Sequence, residues 1–299
     1  MKKPLVSISC ITYNHVNYIQ ECIDGFLSQR TDFNFEILIH DDASDDGTAE
    51  IIKRYENKYS DIIKPIYQTI NQYSIGNRPV NKLNFDRAKG KYIAVCEGDD
   101  YWTDQYKLQK QVDFLEANEE FSGCFHKSFT INETDKKPKL VPFREYKKQI
   151  FTFEDTLSKK VLFHTSSFVF RAHYCVYEKG YKNIHSGDMA LFSTIAKSGK
   201  LYLEDEFMSV YRINENGVTR NVNNKEYHQN RIILMDYLMK ISEAKYFDSI
   251  TEVKNFHISN LNLKQKKSKY NLFDHNHLHM KVFHKAKKIL SILLRNKTK

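Results

Sequence analysis

The sequence contains few cysteines, and they follow no metal-binding or disulfide pattern. There are five in 299 residues, and no two of them form a C-x-x-C pair. This scattered, odd-numbered set predicts reduced, buried thiols in a cytosolic protein. The residues are Cys10, Cys22, Cys96, Cys124 and Cys175.

Glycine and proline are also scarce, and long apolar runs are missing. With 10 glycines and 5 prolines, the chain contains no low-complexity segment. No apolar run approaches the roughly 20 residues of a membrane span. The stretch MKKPLVSISCITYN begins with lysines, but its apolar run is too short for a signal peptide. We therefore expect a cytoplasmic protein.

Acidic and basic residues are unevenly distributed, although the net charge is +9. Residues 1–120 carry 14 Lys and Arg against 20 Asp and Glu, whereas residues 121–299 carry 32 against 17. The two halves are therefore expected to have different roles. The basic half carries no recognised nucleic-acid motif, so we expect no nucleic-acid partner.

Strand and helix patterns alternate along the first 120 residues. Apolar patterning predicts strands at 5–12, FEILIH, IIKPIYQ and KYIAVCE, and helical stripes follow the first, second and fourth of these. Pro65 weakens the third prediction, because proline cannot donate to a strand ladder. Strands that alternate with helices indicate an α/β domain with a mainly parallel sheet flanked by helices.

Two clusters of acidic residues follow predicted strands. Asp41 and Asp42 come at the end of the second strand, and Glu97, Asp99 and Asp100 come at the end of the fourth. Ligands of parallel sheets bind beyond the carboxyl ends of the strands, so both clusters are expected to border one crevice. The alternative is that both clusters are solvated turns.

The acidic clusters require a positive partner, because like charges this close repel each other. Oxygen ligands without His or Cys suit Mg²⁺ or Mn²⁺, which bind through one or two carboxylates and substrate phosphates. The sequence has no G-x-x-x-x-G-K-[ST] motif and no G-x-G-x-x-G motif. A divalent cation, rather than a glycine-rich loop, is therefore expected to hold the substrate phosphates.

Three motifs resemble those of family 2 glycosyltransferases, which have the Rossmann-like GT-A fold and include many enzymes of bacterial surface polysaccharide synthesis. They are VSISCITYNHVNYIQECIDGFLSQ, FEILIHDDASDDGT and AKGKYIAVCEGDDYWTDQYKLQKQVDFLE. Weaker similarity continues through HTSSFVFR, SGDMALFSTIAKSGKLYLEDEFMSVYR and NENGVT. The resemblance implies a catalytic domain at 1–220, with a nucleotide-sugar-binding half (1–120) and an acceptor-binding half (121–220). Residues 221–299 would then form a helical, basic C-terminal extension.

For the donor, the resemblance implies a nucleotide pocket at the ends of the first two strands. Tyr13 would stack on the base, and Asp42, preceded by Asp41, would bind the uracil or the ribose. Arg78, in the loop before the fourth strand, would reach the nucleotide, and Arg212 lies in the closing Tyr-Arg motif. The pocket backbone would come from Ile11, Thr12 and Tyr13.

For the reaction, the resemblance implies a cation site and a general base. Glu97, Gly98 and Asp99 occupy the place of the family's Asp-x-Asp motif. Asp99 would bind the Mn²⁺ or Mg²⁺ that bridges the diphosphate, and Asp100 would support it or face the sugar. Asp188, in SGDMAL, corresponds to the general base, and the helix start predicted there favours its ionised form.

The implied function is an inverting transfer of a hexosyl or N-acetylhexosaminyl group from a UDP-sugar to a saccharide or lipid-linked acceptor. Two alternatives remain open. A sugar nucleotidyltransferase would carry a glycine-rich loop after the first strand, and ITYNHVN lacks one. A non-catalytic relative that binds sugar nucleotides would fit two departures, Glu97 for the first Asp and Asn214 where relatives often carry His. Asp99 and Asp188 favour the enzyme.

Several aromatic and histidine residues have two interpretations each. Tyr101 and Trp102 would stack on a sugar or fill the core beneath the loop. His164 would face the acceptor cleft or lie in the core. The segment HNHLH suggests zinc, but no fourth ligand is evident; its histidines are His275, His277 and His279.

The C-terminal segment 281–299, KVFHKAKKILSILLRNKTK, has apolar residues at helical spacing, many Lys and Arg, and no acidic residue. Basic amphipathic helices bind anionic membranes, so this segment predicts a peripheral position at the inner face of the cytoplasmic membrane. The alternative is a helix that packs on the catalytic domain and keeps its basic face in water.

Overall fold

A computed structural model describes most of the chain, namely residues 3–76, 80–176, 180–181, 184–215, 217 and 223–261. Arg78, the three histidines of HNHLH and the segment 281–299 lie outside the described residues, so what was expected of them stays a prediction. No helix within these ranges is both long and apolar enough to cross a bilayer.

The first part of the chain forms the parallel region of a single sheet. Its elements are β1 (Val6–Thr12), α1 (Ile19–Leu27), β2 (Phe35–Asp41), α2 (Thr48–Lys58), β3 (Ile63–Tyr67), α3 (Lys82–Arg87) and β4 (Tyr92–Glu97). The strands lie in the order β3-β2-β1-β4, and all neighbours are parallel. The four predicted strands are therefore confirmed. Pro65 lies on β3, at the end of this order, where a missing N–H is tolerated.

The second part of the chain makes the sheet mixed. Its elements are β5 (Tyr101–Trp102), α4 (Lys107–Ala117), β6 (Phe121–Asn132), β7 (Leu140–Pro142), β8 (Ile150–Phe151), α5 (Phe153–Thr156), β9 (Val169–Arg171), α6 (Gly187–Lys197), β10 (Lys200–Ile213) and α7 (Asn224–Ile241). The sheet continues from β4 through β9, β6 and β10 to β5. Because β9 runs antiparallel to both β4 and β6, the parallel arrangement expected from the sequence is interrupted there.

The register around β1 brings the two acidic clusters to one edge of the sheet. Ile11 of β1 pairs with Glu97 of β4, and Thr12 pairs with Asp41 of β2. The next backbone N–H on each side, from Gly98 and Asp42, donates to β1 carbonyls at 2.9 Å. The clusters therefore flank the carboxyl end of β1, as expected for a shared crevice.

The apolar side chains form two cores, and the residues after 220 contribute to one of them. The first core lies under α1, α2 and α4, and the second lies among α5, α6 and α7. Leu234 and Leu238 of α7, and Ile250 of the helical residues 247–261, are completely buried in the second core. Each such side chain contributes about 1.5–3 kcal/mol on burial. The described part of the predicted extension is thus helical and packs on the acceptor half, while the boundary at 220 stays a prediction.

Candidate active site

The loops that follow β1 and β2 are joined by hydrogen bonds. The Asn14 side chain donates to Asp45 at 2.9 Å and accepts the Asp45 backbone N–H at 3.0 Å. Asn14 has a left-handed φ of 55°, a conformation that asparagine tolerates better than most residues. Its backbone N–H donates to the Ser44 hydroxyl at 2.9 Å. These bonds hold the two loops, and the crevice between them, in one arrangement.

Tyr13 lies at the carboxyl end of β1, beside the two acidic clusters. Its side chain is 44% exposed, although it directly follows β1, whose neighbouring residue Thr12 is buried. Ile11 is partly buried at the level of Glu97. An exposed aromatic ring on a rigid loop is available to stack on a planar ligand. This location agrees with the stacking role predicted for Tyr13, which stays a prediction.

Asp41 and Asp42 are both buried and differ in their partners. The Asp42 oxygens accept backbone N–H groups from Gln72 at 2.7 Å and Tyr73 at 3.1 Å. Asp42 therefore anchors the loop after β3, and its remaining lone pairs are what a nucleotide could use. Asp41 accepts a hydrogen bond from the Ser44 hydroxyl, and burial raises the pKa of its carboxyl.

Gly98 allows the acidic turn after β4 to lie directly against the loop after β1. A Cβ atom at this position would lie 2.6 Å from Thr12 Oγ1 and 3.1 Å from His15 Nδ1. Any larger residue would therefore push the turn away from β1. Packing therefore requires glycine at the middle position of Glu97-Gly98-Asp99. This glycine determines how closely the two acids approach the loop after β1.

Asp99 and Asp100 are adjacent but point to different surroundings. Asp100 is completely buried and accepts the Arg212 backbone N–H at 2.9 Å, and burial raises the pKa of its carboxyl well above the usual value. The Asp99 side chain is 15% exposed and accepts a hydrogen bond from Asn214 at 2.9 Å. Asp99 is thus the accessible acid of the pair, and Asp100 supports the turn from behind.

Arg212 connects the acidic turn to the surrounding elements. Its guanidinium donates to Glu133 at 3.0 Å, to the Asp99 carbonyl at 2.7 Å and to Glu21. It also lies 4.2 Å from the centre of the Tyr101 ring. Since these protein groups engage all three of its nitrogens, the geometry favours a positioning role for Arg212 over direct contact with the nucleotide.

Trp102 lies in the interior, whereas His164 is half-buried. The Trp102 ring is 4% exposed, packs against Phe26 and donates its indole N–H to the Ser166 carbonyl at 2.8 Å. His164 stacks on Tyr211 at 3.9 Å, and burial lowers the pKa of its imidazole to about 3. The structure thus shows the core interpretation of Trp102, and both interpretations of His164 stay predictions.

Asp188 acts on the acidic turn through its charge, although it is distant in sequence. It lies in the first turn of α6. Burial raises the pKa of Glu97 to about 8, and the charges of Asp99 and Asp188 add to this effect. The pKa of Asp188 itself is raised, because burial outweighs the Met189 backbone N–H and the charge of Arg231. The helix start alone predicted a carboxyl that is easier to ionise, so that expectation is corrected here. A raised pKa makes the ionised carboxylate a stronger proton acceptor.

The acidic residues fit a hard divalent cation. The groups near Asp99 offer carboxylate oxygens, and burial together with the charges of Asp99 and Asp188 raises the pKa of Glu97, an effect that a bound cation would oppose. In the part of the chain that the structure describes, no three His, Cys, Asp or Glu side chains form a ready-made metal cage. Mg²⁺ and Mn²⁺ do not need one, because one or two carboxylates and substrate phosphates suffice.

His15 is a site residue that the sequence did not single out. Its Nδ1 lies 3.1 Å from Thr12 Oγ1, and its Nε2 lies 3.7 Å from Asp99 Oδ2. The available signal was its place three residues after Thr12, in a loop already expected to border the crevice. Asn214, noted only as a departure from the family, also contacts Asp99.

Lys107 lies completely buried beneath the acidic turn. Its Nζ donates to Gln111 at 2.7 Å and lies 4.1 Å from the centre of the Trp102 ring. Burial lowers the pKa of its amine from 10.5 to about 7. The unfolded chain therefore binds a proton between pH 7 and 10.5 that the folded protein does not, so this lysine makes stability rise with pH.

We expect Lys107→Met to reduce this pH dependence. Between pH 7 and 10 the free energy of unfolding should rise with pH less steeply than in the wild type, by up to about 1.4 kcal/mol per pH unit. Urea unfolding at several pH values measures this slope. Lys110→Met is the matched control, because Lys110 lies on the same helix but is only partly buried and forms ion pairs with Asp104 and Glu206. If the free energy of unfolding rises equally steeply with pH in the wild type and in Lys107→Met, the lowered pKa of Lys107 is wrong.

Comparison with known sequences supports the motifs found at the crevice. A family model described as Glycosyl transferase family 2 matches residues 7–175. An uncharacterized protein of Mycobacterium tuberculosis is 37% identical over 213 residues, which cover 71% of this chain and 60% of the relative. The UDP-Glc:alpha-D-GlcNAc-diphosphoundecaprenol beta-1,3-glucosyltransferase WfaP of Escherichia coli is 36% identical over 117 residues, 39% of this chain and 43% of WfaP. The match thus spans 60% of the mycobacterial relative's length.

Solved structures share the fold at low sequence identity. TarS of S. aureus in complex with UDP-GlcNAc has a TM-score of 0.64 and 18% identity, over 85% of this chain and 72% of TarS. The mannosyltransferase PcManGT of Pyrobaculum calidifontis, in complex with GDP-Man and Mn2+, has a TM-score of 0.60 and 15% identity, over 87% and 72%. These likenesses confirm the predicted GT-A fold.

The family model covers more than half of the chain, including β1, β2, β4 and the acidic turn. The resemblance inferred from the three motifs is thereby confirmed. The chain belongs to glycosyl transferase family 2.

Proposed function

We propose that the protein transfers a sugar from a UDP-sugar to a saccharide or lipid-linked acceptor in surface polysaccharide synthesis, and inverts the anomeric carbon. The observation that carries this proposal is the meeting of Asp41 and Glu97 at the carboxyl end of β1, where the charge of Asp188 also acts on Glu97. A UDP-sugar donor is supported by the name of WfaP and by the UDP-GlcNAc in the TarS structure. The name of WfaP also supports an acceptor that is linked to a lipid diphosphate.

Asp99 would hold a divalent cation, with Asn214 and His15 setting the orientation of its carboxylate. When bound, Mn²⁺ or Mg²⁺ would act as a Lewis acid that neutralises charge on the leaving diphosphate. The Mn2+ in the PcManGT structure supports this assignment. Asp100 and Arg212 would keep the turn in place, through the hydrogen bond between the Asp100 carboxylate and the Arg212 N–H.

Asp188 would act as the general base. Its carboxylate would accept the proton of the acceptor hydroxyl, whose oxygen then forms a bond to the anomeric carbon as the bond to the diphosphate breaks. The reaction needs no covalent intermediate with the protein. Because burial raises the pKa of Asp188, the carboxylate is a better match for this proton transfer than an exposed aspartate.

The location of Asp188 also favours a catalyst over a non-catalytic binder. A protein that only binds nucleotide sugars needs the donor pocket and the cation site, but it does not need a half-buried acid beside them. Burial and the neighbouring acids raise the pKa of Glu97, so holding these acids together costs stability unless a ligand compensates. A sugar nucleotidyltransferase is disfavoured because the loop after β1 lacks a glycine-rich phosphate-binding segment.

Donor binding tests both the nucleotide and the role of Tyr13. Calorimetry with Mn²⁺ and a panel of UDP-, GDP- and dTDP-sugars is expected to show specific binding of a UDP-sugar. Tyr13→Ala should weaken it by about ten- to a hundredfold, because loss of stacking on a base costs about 1–3 kcal/mol. Tyr13→Phe should bind nearly normally.

The matched control for Tyr13 is Tyr106→Ala, since Tyr106 is equally exposed, at 43%, on the loop before α4. An equal loss in both variants would mean that general destabilisation, and not stacking, explains the result. Preference for a GDP-sugar would overturn the UDP part of the proposal and leave the transferase part standing.

The segment 281–299 would bring the protein to anionic membranes. Removing it should reduce binding to vesicles that contain anionic phospholipid and leave hydrolysis of the nucleotide sugar in solution unchanged. The electrostatic part of vesicle binding should also weaken as salt rises. If the full-length protein fails to bind such vesicles at low salt, a membrane role for this segment is wrong.

A further inference from the structure

His15 lies beside Asp99, in a position that its backbone contacts hold. Its N–H donates to the Thr48 hydroxyl at 2.8 Å, which ties it to the start of α2. Its carbonyl accepts the Ile19 N–H at 2.9 Å, which ties it to the start of α1. The side chain is 18% exposed, so a small ion from solvent can reach it while these bonds keep the backbone in place.

The two ring nitrogens of His15 have different surroundings. Nδ1 lies 3.1 Å from Thr12 Oγ1, which is within hydrogen-bond distance, whereas Nε2 lies 3.7 Å from Asp99 Oδ2, which is beyond it. The lack of a side chain at Gly98 lets the acidic turn pack directly against Thr12 and Nδ1. The imidazole is thus held on one side and faces a carboxylate oxygen across a short gap on the other.

The 3.7 Å gap suits two ligands of one cation. Ligand atoms that each lie about 2.1 Å from a shared ion are about 3 to 4 Å from each other. An imidazolium that paired directly with the carboxylate would be expected at about 2.7–2.9 Å. Asp99 Oδ2 accepts the Asn214 amide N–H at 2.9 Å and keeps a second lone pair for an ion.

The Thr12 hydroxyl gives His15 the support that metal-binding histidines usually have. In such histidines one ring nitrogen binds the metal and the other donates its N–H to an oxygen, which fixes the tautomer and the orientation of the ring. When Nδ1–H donates to Thr12 Oγ1, the lone pair lies on Nε2, opposite Asp99. A lone pair facing a carboxylate is unfavourable by itself, so a cation between the two would stabilise this tautomer.

Resting on the proposed function, we propose that His15 is a second protein ligand of the divalent cation held by Asp99, and that it makes the site favour a transition-metal ion such as Mn²⁺ over Mg²⁺. Imidazole nitrogen suits transition metals, whereas Mg²⁺ prefers oxygen ligands and gives up its waters reluctantly. Two protein ligands are sufficient, because substrate phosphates and waters complete the coordination. His15 therefore determines which ion the site binds, in addition to orienting Asp99.

Pulsed electron paramagnetic resonance of Mn²⁺ tests the ligand without relying on sugar transfer. The full chain, with its histidines labelled by a heavy nitrogen isotope, is mixed with UDP and less than one equivalent of Mn²⁺. The wild type should show coupling of Mn²⁺ to the labelled nitrogen, and His15→Phe should lose it. His173→Phe is the matched control and should keep it, because His173 is an exposed histidine that contacts the Tyr174 ring. Bound Mn²⁺ without this coupling in the wild type would overturn the proposal.

Calorimetry in the presence of UDP tests the selectivity. The wild type should bind Co²⁺ more tightly than Mn²⁺, in the usual order of nitrogen-containing sites, and Mg²⁺ least tightly. His15→Phe should lose at least about tenfold of the Mn²⁺ affinity, since even the loss of a supporting group has an effect of this size. Its Mg²⁺ affinity should fall less. Equal losses for both ions would indicate general damage to the site and overturn the proposal.

Two further substitutions make this test independent of the Phe variant. Thr12→Val removes only the supporting hydroxyl and should lower the Mn²⁺ affinity by about ten- to a hundredfold. Thr12→Ser keeps the hydroxyl and should restore most of that affinity. If His15→Phe does not fold, His15→Gln replaces it, because its amide lacks the imidazole nitrogen and should likewise lose the coupling.

The outcomes separate this inference from the proposed function. If Mn²⁺ binds with UDP to the wild type, fails to bind to Asp99→Asn and shows no coupling to histidine, the proposed cation site stands and the role of His15 is wrong. If no divalent cation binds to the folded wild type with UDP, the cation assignment of the proposed function fails, and the inference fails with it.

Discussion

Asp188→Asn is expected to lower sugar transfer by about two to four orders of magnitude, the usual effect of losing a general base. The amide keeps the size of the side chain and can still accept the Met189 N–H that Asp188 accepts. It cannot take up the proton of the acceptor hydroxyl. The affinity for the UDP-sugar, measured by calorimetry, should remain close to that of the wild type.

The wild-type protein should lose transfer activity as the pH falls through the pKa of Asp188, because the base must be ionised. This limb should begin at a higher pH than an exposed aspartate would give, since burial raises the pKa. Glu50→Gln is a matched control, because Glu50 is an exposed acid in the first turn of α2. Near wild-type transfer by a folded Asp188→Asn protein would place the base elsewhere.

Asp99→Asn is expected to reduce transfer by about a thousandfold, because a Lewis acid supplies several kcal/mol of charge stabilisation in the transition state. The asparagine can still accept the hydrogen bond from Asn214, so the variant should fold normally. Chelation of divalent cations in the wild type should give a similar loss. Added Mn²⁺ or Mg²⁺ should restore the chelated wild type but not the variant.

Asp113→Asn serves as the control for Asp99, since Asp113 is an exposed acid of α4 that accepts a hydrogen bond from Gln109. It should transfer sugar at the wild-type rate, with or without added cation. Full wild-type activity in excess chelator would show that no divalent cation is needed. Recovery of Asp99→Asn at high Mn²⁺ would mean that another group holds the cation.

The sheet edge and its acids could be predicted because local pattern and topology are sufficient there. Strands were recognisable from apolar alternation, and the carboxyl ends of neighbouring parallel strands always share an edge. Asp42 and Glu97 were therefore expected at one crevice before any coordinates were known, and the register of β1 with both neighbours agrees. The resemblance to the family then suggested roles for single residues, which the pattern of apolar and polar residues does not assign.

Side-chain direction within the acidic turn was decided by tertiary structure. Asp99 and Asp100 are identical in type and adjacent, yet Asp99 reaches the crevice while Asp100 is buried against the backbone of Arg212. Trp102 is likewise committed to the core by its contact with Phe26 and its hydrogen bond to Ser166. The sequence assigned Asp99 to the cation but left two alternatives open for Asp100 and for Trp102, because β10 and the Ser166 segment, which select between them, come much later in the chain.

The sequence by itself therefore determined the order of strands and helices in the first 120 residues, the acidic crevice and the family. Only the tertiary structure brought Asp188 close enough to Glu97 for their charges to interact. The start of α6 favoured an easily ionised Asp188, but burial reversed the direction of its pKa. Burial depends on how α6, α7 and the sheet pack together, so it is a collective property of many apolar side chains. No local pattern around SGDMAL or along α7 contains that information.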